Sequence, residues 1–334
     1  MRILIDGNGG DYAPREIVKG AVLAASEIDH EILIIGNKES IENELGKNNF
    51  NGSNIEVIDA TEKIENDESP VKAIRKKKDS SIVKGLNMVK DNEADVFISA
   101  GSTGALLAGG LLILGRIEGI DRPAIAAFYP KMGKNEPALL LDCGANTDIK
   151  PINLLQFGIM GSIYIENVLD RKNPEVGLLN IGAEPNKGDR LHKEAYDLLS
   201  GSKLNFIGNV EGREVPSGAC DVIVTDGFSG NIFLKTSEGV ALTMMKLIKN
   251  KMMESGLSKV GALLASKKLK SIKKEFDYSE FGGAPILGIK GGILKIHGSS
   301  KSNAAYNAII NAVAFVERDI VNMIETSVAA SEEI

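Results

Sequence analysis

The chain has 334 residues, of which 43% are hydrophobic and 25% charged, and its formal net charge is −6. This is an ordinary globular composition, large enough for one big α/β domain or two smaller ones, and it argues against a basic nucleic-acid binder. Two cysteines (Cys143, Cys220) and three histidines (His30, His192, His297) give neither a disulfide framework nor a zinc-ligand spacing, as expected of a reducing cytoplasm.

The opening MRILIDGNGGD has too short an apolar run for a signal peptide, and Asp6 follows at once. Residues 2–6 read as a strand, then the turn GNGGD, then a helix over 13–28 with Pro14 near its first turn. Strands follow at 31–35 and 55–59, an acidic loop at 62–69, and one helix over 71–89 with Ile74, Ile82, Leu86 and Val89 on its apolar side. From there an apolar run stops five times at a turn of Gly and small polar residues: 96–104, 138–148, 176–189, 221–231 and 291–303. Helical stretches such as 152–169 and 189–199 separate these units. Strands alternating with helices predict a mostly parallel sheet covered on both faces, in a single α/β domain over 1–334. Residues 96–115 carry no charge over 20 positions, the length of a membrane span. Ser99, Ser102, Thr103 and the glycines interrupt the run, so it reads as a buried strand, a turn and a buried helix.

Residues 237–275 differ from this pattern. Ala241, Met244, Met245, Ile248, Met252 and Met253 recur at helical spacing, Gly256 breaks the helix, and VGALLA (260–265) follows between lysines. The expectation is an inserted basic helical hairpin. Between 246 and 274 stand nine lysines and one acid, a segment of +8 that leaves −14 on the remainder. A local charge of that size concerns a partner rather than the fold. The last segment, 302–326, reads as one long helix.

A buried strand that runs into a glycine-rich turn and then a helix points backbone N–H groups at an anion. Five such turns can line one crevice at the carboxyl ends of parallel strands. Ahead of these five, the opening DGNGGD offers Asp6, Gly9 and Gly10, a tight active-site or structural turn. It is a poor dinucleotide fingerprint, because residue 12 is Tyr where the third glycine belongs. The first of the five offers Ser99, Gly101, Ser102, Thr103 and Gly104; the second offers Asp142, Gly144 and Asn146. In the third, Asn180, Gly182, Glu184 and Gly188 surround Lys187, which is either a phosphate-holding point charge or a solvated loop lysine. The fourth has Asp226, Gly227, Gly230 and Asn231, with Asp226 a candidate helix N-cap. In the fifth, HGSSKSN, His297 is accompanied by Gly298, Ser299 and Ser300, whose hydroxyls also suit capping. Cys143 reads as a small buried apolar residue rather than a nucleophile.

In order along nearly the whole chain, DESPVKAIRKKKDSSI (67–82), ISAGSTGAL (98–106), GRIEGIDRPA (115–124), LLDCGAN (140–146), QFGIMGS (156–162), VGLLNIGAEPNKGD (176–189), NFIGNVEGR (205–213), VTDGFSGNIFLKTSEG (224–239), DYSEFGG (277–283) and HGSS (297–300) resemble the bacterial phosphate acyltransferase family of phospholipid synthesis, PlsX. The opening reads DGNGGD where that family usually reads DAMGGD. The resemblance implies a three-layer α/β/α fold like that of isocitrate and isopropylmalate dehydrogenases, no metal or nucleotide cofactor, and a homodimer peripherally associated with the cytoplasmic face of the membrane. It implies a reaction in which orthophosphate attacks the thioester of a long-chain acyl-acyl-carrier-protein, giving acyl phosphate for a membrane glycerol-phosphate acyltransferase.

That chemistry needs an anion positioned and an oxyanion stabilised. Lys187, Ser102, Thr103 and Asn231 are candidates for these tasks, and His297 for protonating the thiolate or donating to the oxyanion. The hairpin, with Lys259, Leu263, Leu264, Lys267, Lys268 and Lys270, suits an anionic membrane surface, the acidic carrier protein, or both; its Met-bearing helix suits a second subunit. Competing readings are a phosphotransacetylase acting on acetyl-CoA, a non-catalytic membrane scaffold, and an NAD-dependent dehydrogenase resting on fold analogy alone.

Overall fold

A computed structural model describes residues 1–133, 136–275 and 282–332, apart from the side chains of 257, 267, 269–275 and 330–332. The first third runs β1 (Arg2–Asp6), α1 (Arg15–Ala25), β2 (Glu31–Gly36), α2 (Lys38–Lys47), β3 (Ile55–Asp59), α3 (Pro70–Lys76), α4 (Ser81–Lys90), β4 (Val96–Ser99) and α5 (Thr103–Gly109). A π-helical turn, Gly110–Leu114, continues α5. Then come β5 (Ala124–Tyr129), β6 (Ala138–Leu141), α6 (Pro151–Val168), β7 (Val176–Asn180), α7 (Arg190–Ser200), β8 (Phe206–Glu211) and β9 (Val222–Val224). The last third holds α8 (Gly227–Met252), α9 (Gly256–Glu275), β10 (Ala284–Leu287), β11 (Gly292–Lys295), α10 (Ser302–Glu317) and α11 (Ile320–Glu332).

The strands form one 11-stranded sheet in the order β3-β2-β1-β4-β11-β10-β5-β6-β9-β7-β8. Two parallel blocks, β3-β2-β1-β4-β11 and β6-β9-β7-β8, are joined through antiparallel β10 and β5. The short strands β4, β6 and β9 are buried along their whole length, as central strands covered on both faces must be. One core cluster lies under α1, α6, α10 and α11; a second lies under α3, α4 and α5 and a third, around Leu140, Ile223 and Leu234, under α8, giving three layers.

The junction positions the site. Lys295 at the end of β11 lies opposite Ala284, Ile286 lies opposite Ile125, and Leu141 at the end of β6 lies opposite Ala126. The two blocks run in opposite directions, yet both end at the same level of β10 and β5. Their carboxyl-end turns therefore meet over the junction.

Several elements differ from their sequence reading. The stretch 71–89 is two helices, because Ser80 accepts from Val83 N–H and starts α4 as a fresh N-cap. The stretch 302–326 breaks at Asp319, whose φ of 49° no helix accommodates. Helix α2 and strands β5 and β10 have weak apolar periodicity and were not anticipated. The stretch 96–115 is a buried strand, a turn and helix, and among the described residues no helix is long and apolar enough to cross a membrane. The hairpin is α8 packed on α9, and α8 begins at Gly227 rather than near 237. The side chains of Lys267 and Lys270, and residues 277–281 of the DYSEFGG run, lie outside the described residues.

Candidate active site

A cleft of about 660 Å³ opens over the junction. Four of the five turns reach it. Gly101, Thr103 and Gly104 come from the turn after β4, Cys143 and Gly144 from the turn after β6, Asn231 from the first turns of α8, and His297 to Ser300 from the turn after β11. Asp11, the last residue of DGNGGD, also lines it. Leu107, Ile125, Ala127, Phe128, Leu234 and Ala284 supply an apolar floor.

Two buried carboxylates hold this architecture rather than act in it. Asp6 accepts from the N–H groups of Asn8 (3.0 Å) and Gly9 (3.1 Å) and from the Ser99 hydroxyl (2.6 Å). The Ser99 Oγ in turn accepts from Gly101 N–H at 2.9 Å, so two turns share one acceptor chain. Gly10 (φ 97°) brings Asp11 N–H to the Gly298 carbonyl at 2.8 Å, which ties in the turn after β11. Asp142 does the same in the other block, accepting from Ile125, Ala145 and Asn146 backbone N–H and from the Asn146 amide. Burial raises both carboxyls above the ordinary range. Gly227 N–H donates to the Asn146 carbonyl, and a Cβ on Gly230 would stand 2.0 Å from the Asp142 carbonyl oxygen.

Other hydroxyls and carboxylates are caps. Ser102 accepts from Ala105 N–H and starts α5. Asp226 accepts from Phe228 and Ser229 N–H, both at 2.9 Å, and starts α8, as its sequence position suggested. The Cys143 thiol donates to the Ile125 carbonyl at 3.1 Å, and burial, reinforced by Asp142, pushes it well up. That thiol is a poor nucleophile.

The cleft also carries two lysines and a histidine. Along α8, Asn231, Leu234, Lys235 and Glu238 share the cleft side at i, i+3, i+4 and i+7. Lys235 pairs with Glu238 at 2.8 Å. Lys295 faces the cleft from the end of β11, and its amine reaches the Ile296 carbonyl. Burial pushes its pKa down to about 8. Burial, with Lys235 and Lys295 adding to it, also lowers His297, so the ring is neutral near pH 7. Ser299 N–H (3.2 Å) and the Ser299 hydroxyl (2.8 Å) both stand at His297 Nδ1. With Nδ1 accepting, the neutral ring carries its hydrogen on Nε2. The sequence reading passed over Lys235, within the quoted 224–239 run, and Lys295, in the strand part of 291–303; nothing in a linear sequence marks which lysine faces inward.

The Asn180 turn goes elsewhere. Asn180 donates to the Lys187 carbonyl and to Asn209, and Asn209 donates to the Glu184 carbonyl, which fixes the loop. Asn180, Gly188, Asp189 and His192 line a separate, more open pocket with Ser229 and Phe233 on the other side of α8. The Lys187 ammonium stands 3.8 Å from Glu184, and Gly182 lies in the same loop. Sheet order explains the separation: β7 lies beyond β9, one strand further from the junction.

A family described as fatty acid synthesis protein matches residues 1–323. The chain belongs to this family of acyltransferases. A phosphate acyltransferase of Alkaliphilus oremlandii is 51% identical over 330 residues, covering 99% of this chain and 98% of the relative. One from Clostridium tetani is 50% identical and covers both chains in full. Among solved structures, a phosphotransacetylase from Streptococcus pyogenes is 19% identical with a TM-score of 0.61, and the EutD phosphotransacetylase from Staphylococcus aureus is 17% identical with a TM-score of 0.60, each covering 94% of both chains. At that identity the likeness concerns the fold.

Proposed function

We propose that this protein transfers a long-chain acyl group from an acyl carrier protein thioester to orthophosphate. The observation that carries this reading is the convergence of Lys295, Lys235, Asn231 and neutral His297 over an apolar floor in one cleft. Hydrogen phosphate suits the two ammonium groups, and an acyl chain suits the Leu107, Phe128 and Leu234 side.

The step balances without an external base. An oxygen of HPO₄²⁻ attacks the thioester carbon, the carbonyl becomes an oxyanion, and the C–S bond then breaks. The phosphate proton ends on the thiol, giving acyl phosphate and free carrier. What the protein supplies is position and charge stabilisation. Lys295 and Lys235 hold the phosphate. The Asn231 amide and the His297 Nε2–H are donors for the oxyanion, and a His held neutral suits donation better than proton release. Ser102, Asp6, Asp142 and Asp226 keep the turns in register. Lys187 lies on the loop beside the neighbouring pocket, outside the lining of the cleft, and takes no part in this step.

The hairpin belongs to the same proposal. Leu242, Leu263 and Leu264 are bare to solvent, and lysines flank them. The α8 face serves a second copy of the chain, and α9 with its two exposed leucines touches anionic lipid, placing the acyl phosphate near a membrane glycerol-phosphate acyltransferase. Acetyl-CoA is the disfavoured donor, since the near-full-length relatives at about half identity are named phosphate acyltransferases while the phosphotransacetylases share only the fold.

The experiment supplies purified protein with phosphate and either palmitoyl carrier protein or acetyl-CoA, and traps the acyl phosphate with hydroxylamine. Turnover of the carrier substrate is expected. Faster turnover of acetyl-CoA, or none of either, would sink the proposal.

A further inference from the structure

Helix α3 forms part of the cleft rim. Asn66, in the loop before it, lines the cleft. Pro70, its first residue, lies against Gly104, which also lines the cleft; a Cβ on Gly104 would come 2.8 Å from Pro70 Cγ. Ala73 and Ile74 are buried, which turns Lys72, Arg75 and Lys76 outward. Val71 sits among them, 44% exposed.

The charges on this face are unusual for a chain of net −6. Residues 70–78 carry five cations and no carboxylate. Most of the nearby acids are engaged: Glu68 pairs with Lys77 at 2.5 Å, Glu65 with Lys63 at 3.7 Å, and Asp79 with Lys84 at 3.0 Å, while Asp67 and Glu62 form no ion pair among the described residues. Among the described residues, no carboxylate lies within ion-pair distance of Lys72, Arg75 or Lys76. A short helix normally tempers such a run with acids one turn away, because like charges repel. Here the repulsion is left in place, at the cleft mouth.

The lysines at the hairpin turn are less well placed to serve the cleft. Lys251 is 20 residues along α8 from Asn231, or roughly 30 Å at the helical rise.

We propose that the Lys72, Arg75 and Lys76 face of α3, with Val71 as its apolar contact, is the dock for a small acidic protein that carries its acyl thioester on a flexible arm. Docking presupposes the carrier-borne substrate proposed above. Cations around a single apolar contact steer an acidic helix and fix its register, and the arm needs only to cross the Gly104 rim to reach Lys295 and His297.

The test is the triple variant Lys72→Glu, Arg75→Glu, Lys76→Glu. All three side chains are exposed and carry no cap, so the melting curve should match the wild type. The KM for acyl carrier protein is expected to rise about tenfold or more with kcat at saturation kept, and the salt dependence of KM to flatten. The KM for a soluble acyl-pantetheine is expected to hold. Fluorescence anisotropy of labelled, unacylated carrier should show the same loss without turnover, and the single variant Lys76→Glu serves if the triple misfolds. An unchanged KM for carrier, an equal loss on both thioesters, or a KM shift produced instead by Lys251→Glu with Lys259→Glu would each overturn the dock. A wild type that does not turn over acyl carrier at all removes the substrate reading itself; an active wild type with an unaffected triple variant removes only the dock.

Discussion

Lys295 stands at the end of β11 in a place that disfavours its charge. Burial pushes the amine from 10.5 down to about 8. The folded pKa lies below the unfolded one, so folding opposes protonation below about pH 8, and the penalty fades as pH rises towards the unfolded value. Lys295→Met should therefore raise Tm at pH 7, with the gain shrinking above pH 8. It should also lower kcat/KM for phosphate by roughly ten- to a hundredfold. In the wild type the KM for phosphate should climb above about pH 8 as the amine loses its proton; a flat profile to pH 10 would remove Lys295 from the phosphate site. Gly230 makes a different demand. A Cβ there would sit 2.0 Å from the Asp142 carbonyl oxygen, so Gly230→Ala should cost about 1–3 kcal/mol in a denaturant titration. Asp6 and Asp142 were legible as turn residues but not as acceptors, because their partners Ser99 and Ile125 lie 93 and 17 positions away.

At the scale of elements, α8 does two jobs. Its first turns are fixed by Asp226 and line the cleft, and its far half forms the hairpin with α9. Asp226→Ala leaves two N–H groups without their acceptor and should cost about 1 kcal/mol. It should also impair turnover by loosening Asn231 and Lys235, while an Asp226→Asn variant keeps the cap and most of the activity. Helix α9, which carries Leu263 and Leu264, is independent of that register. Leu264 is 82% exposed, so Leu263→Glu with Leu264→Glu should leave Tm unchanged. Flotation with anionic liposomes should be lost, and unchanged flotation would exclude insertion at this point. The sequence pattern of 237–275 made the hairpin legible, since its methionines and lysines repeat at helical spacing. The division of 71–89 was not legible, because Ser80 competes with helix continuation only once Asp79 is drawn to Thr61 and Lys84.

At the scale of the whole molecule, the bare apolar residues of α8 call for a cover. Leu242 is 70% exposed, and Val240, Met244 and Leu247 are also exposed. Leu242→Asp with Leu247→Asp should leave the chain folded and shift its sedimentation from dimer to monomer; a wild type that sediments as a monomer would refute the covered face. The sequence by itself determined the layered α/β class, because apolar runs that end in glycine turns leave few other ways to bury a strand on both faces. It also determined the family, through ten ordered motifs that only their linear order makes specific. Only the tertiary structure decided which turns share a cleft. Strand order places β7 one position beyond β9, so the turn that carries Asn180 and Lys187 misses the cleft, while the antiparallel pair β10 and β5 brings the ends of β11 and β6 to one level. That juxtaposition selects Lys295 and Lys235 among 39 basic residues. Which lysine faces inward is set by sheet register and burial, and neither is written in the local sequence.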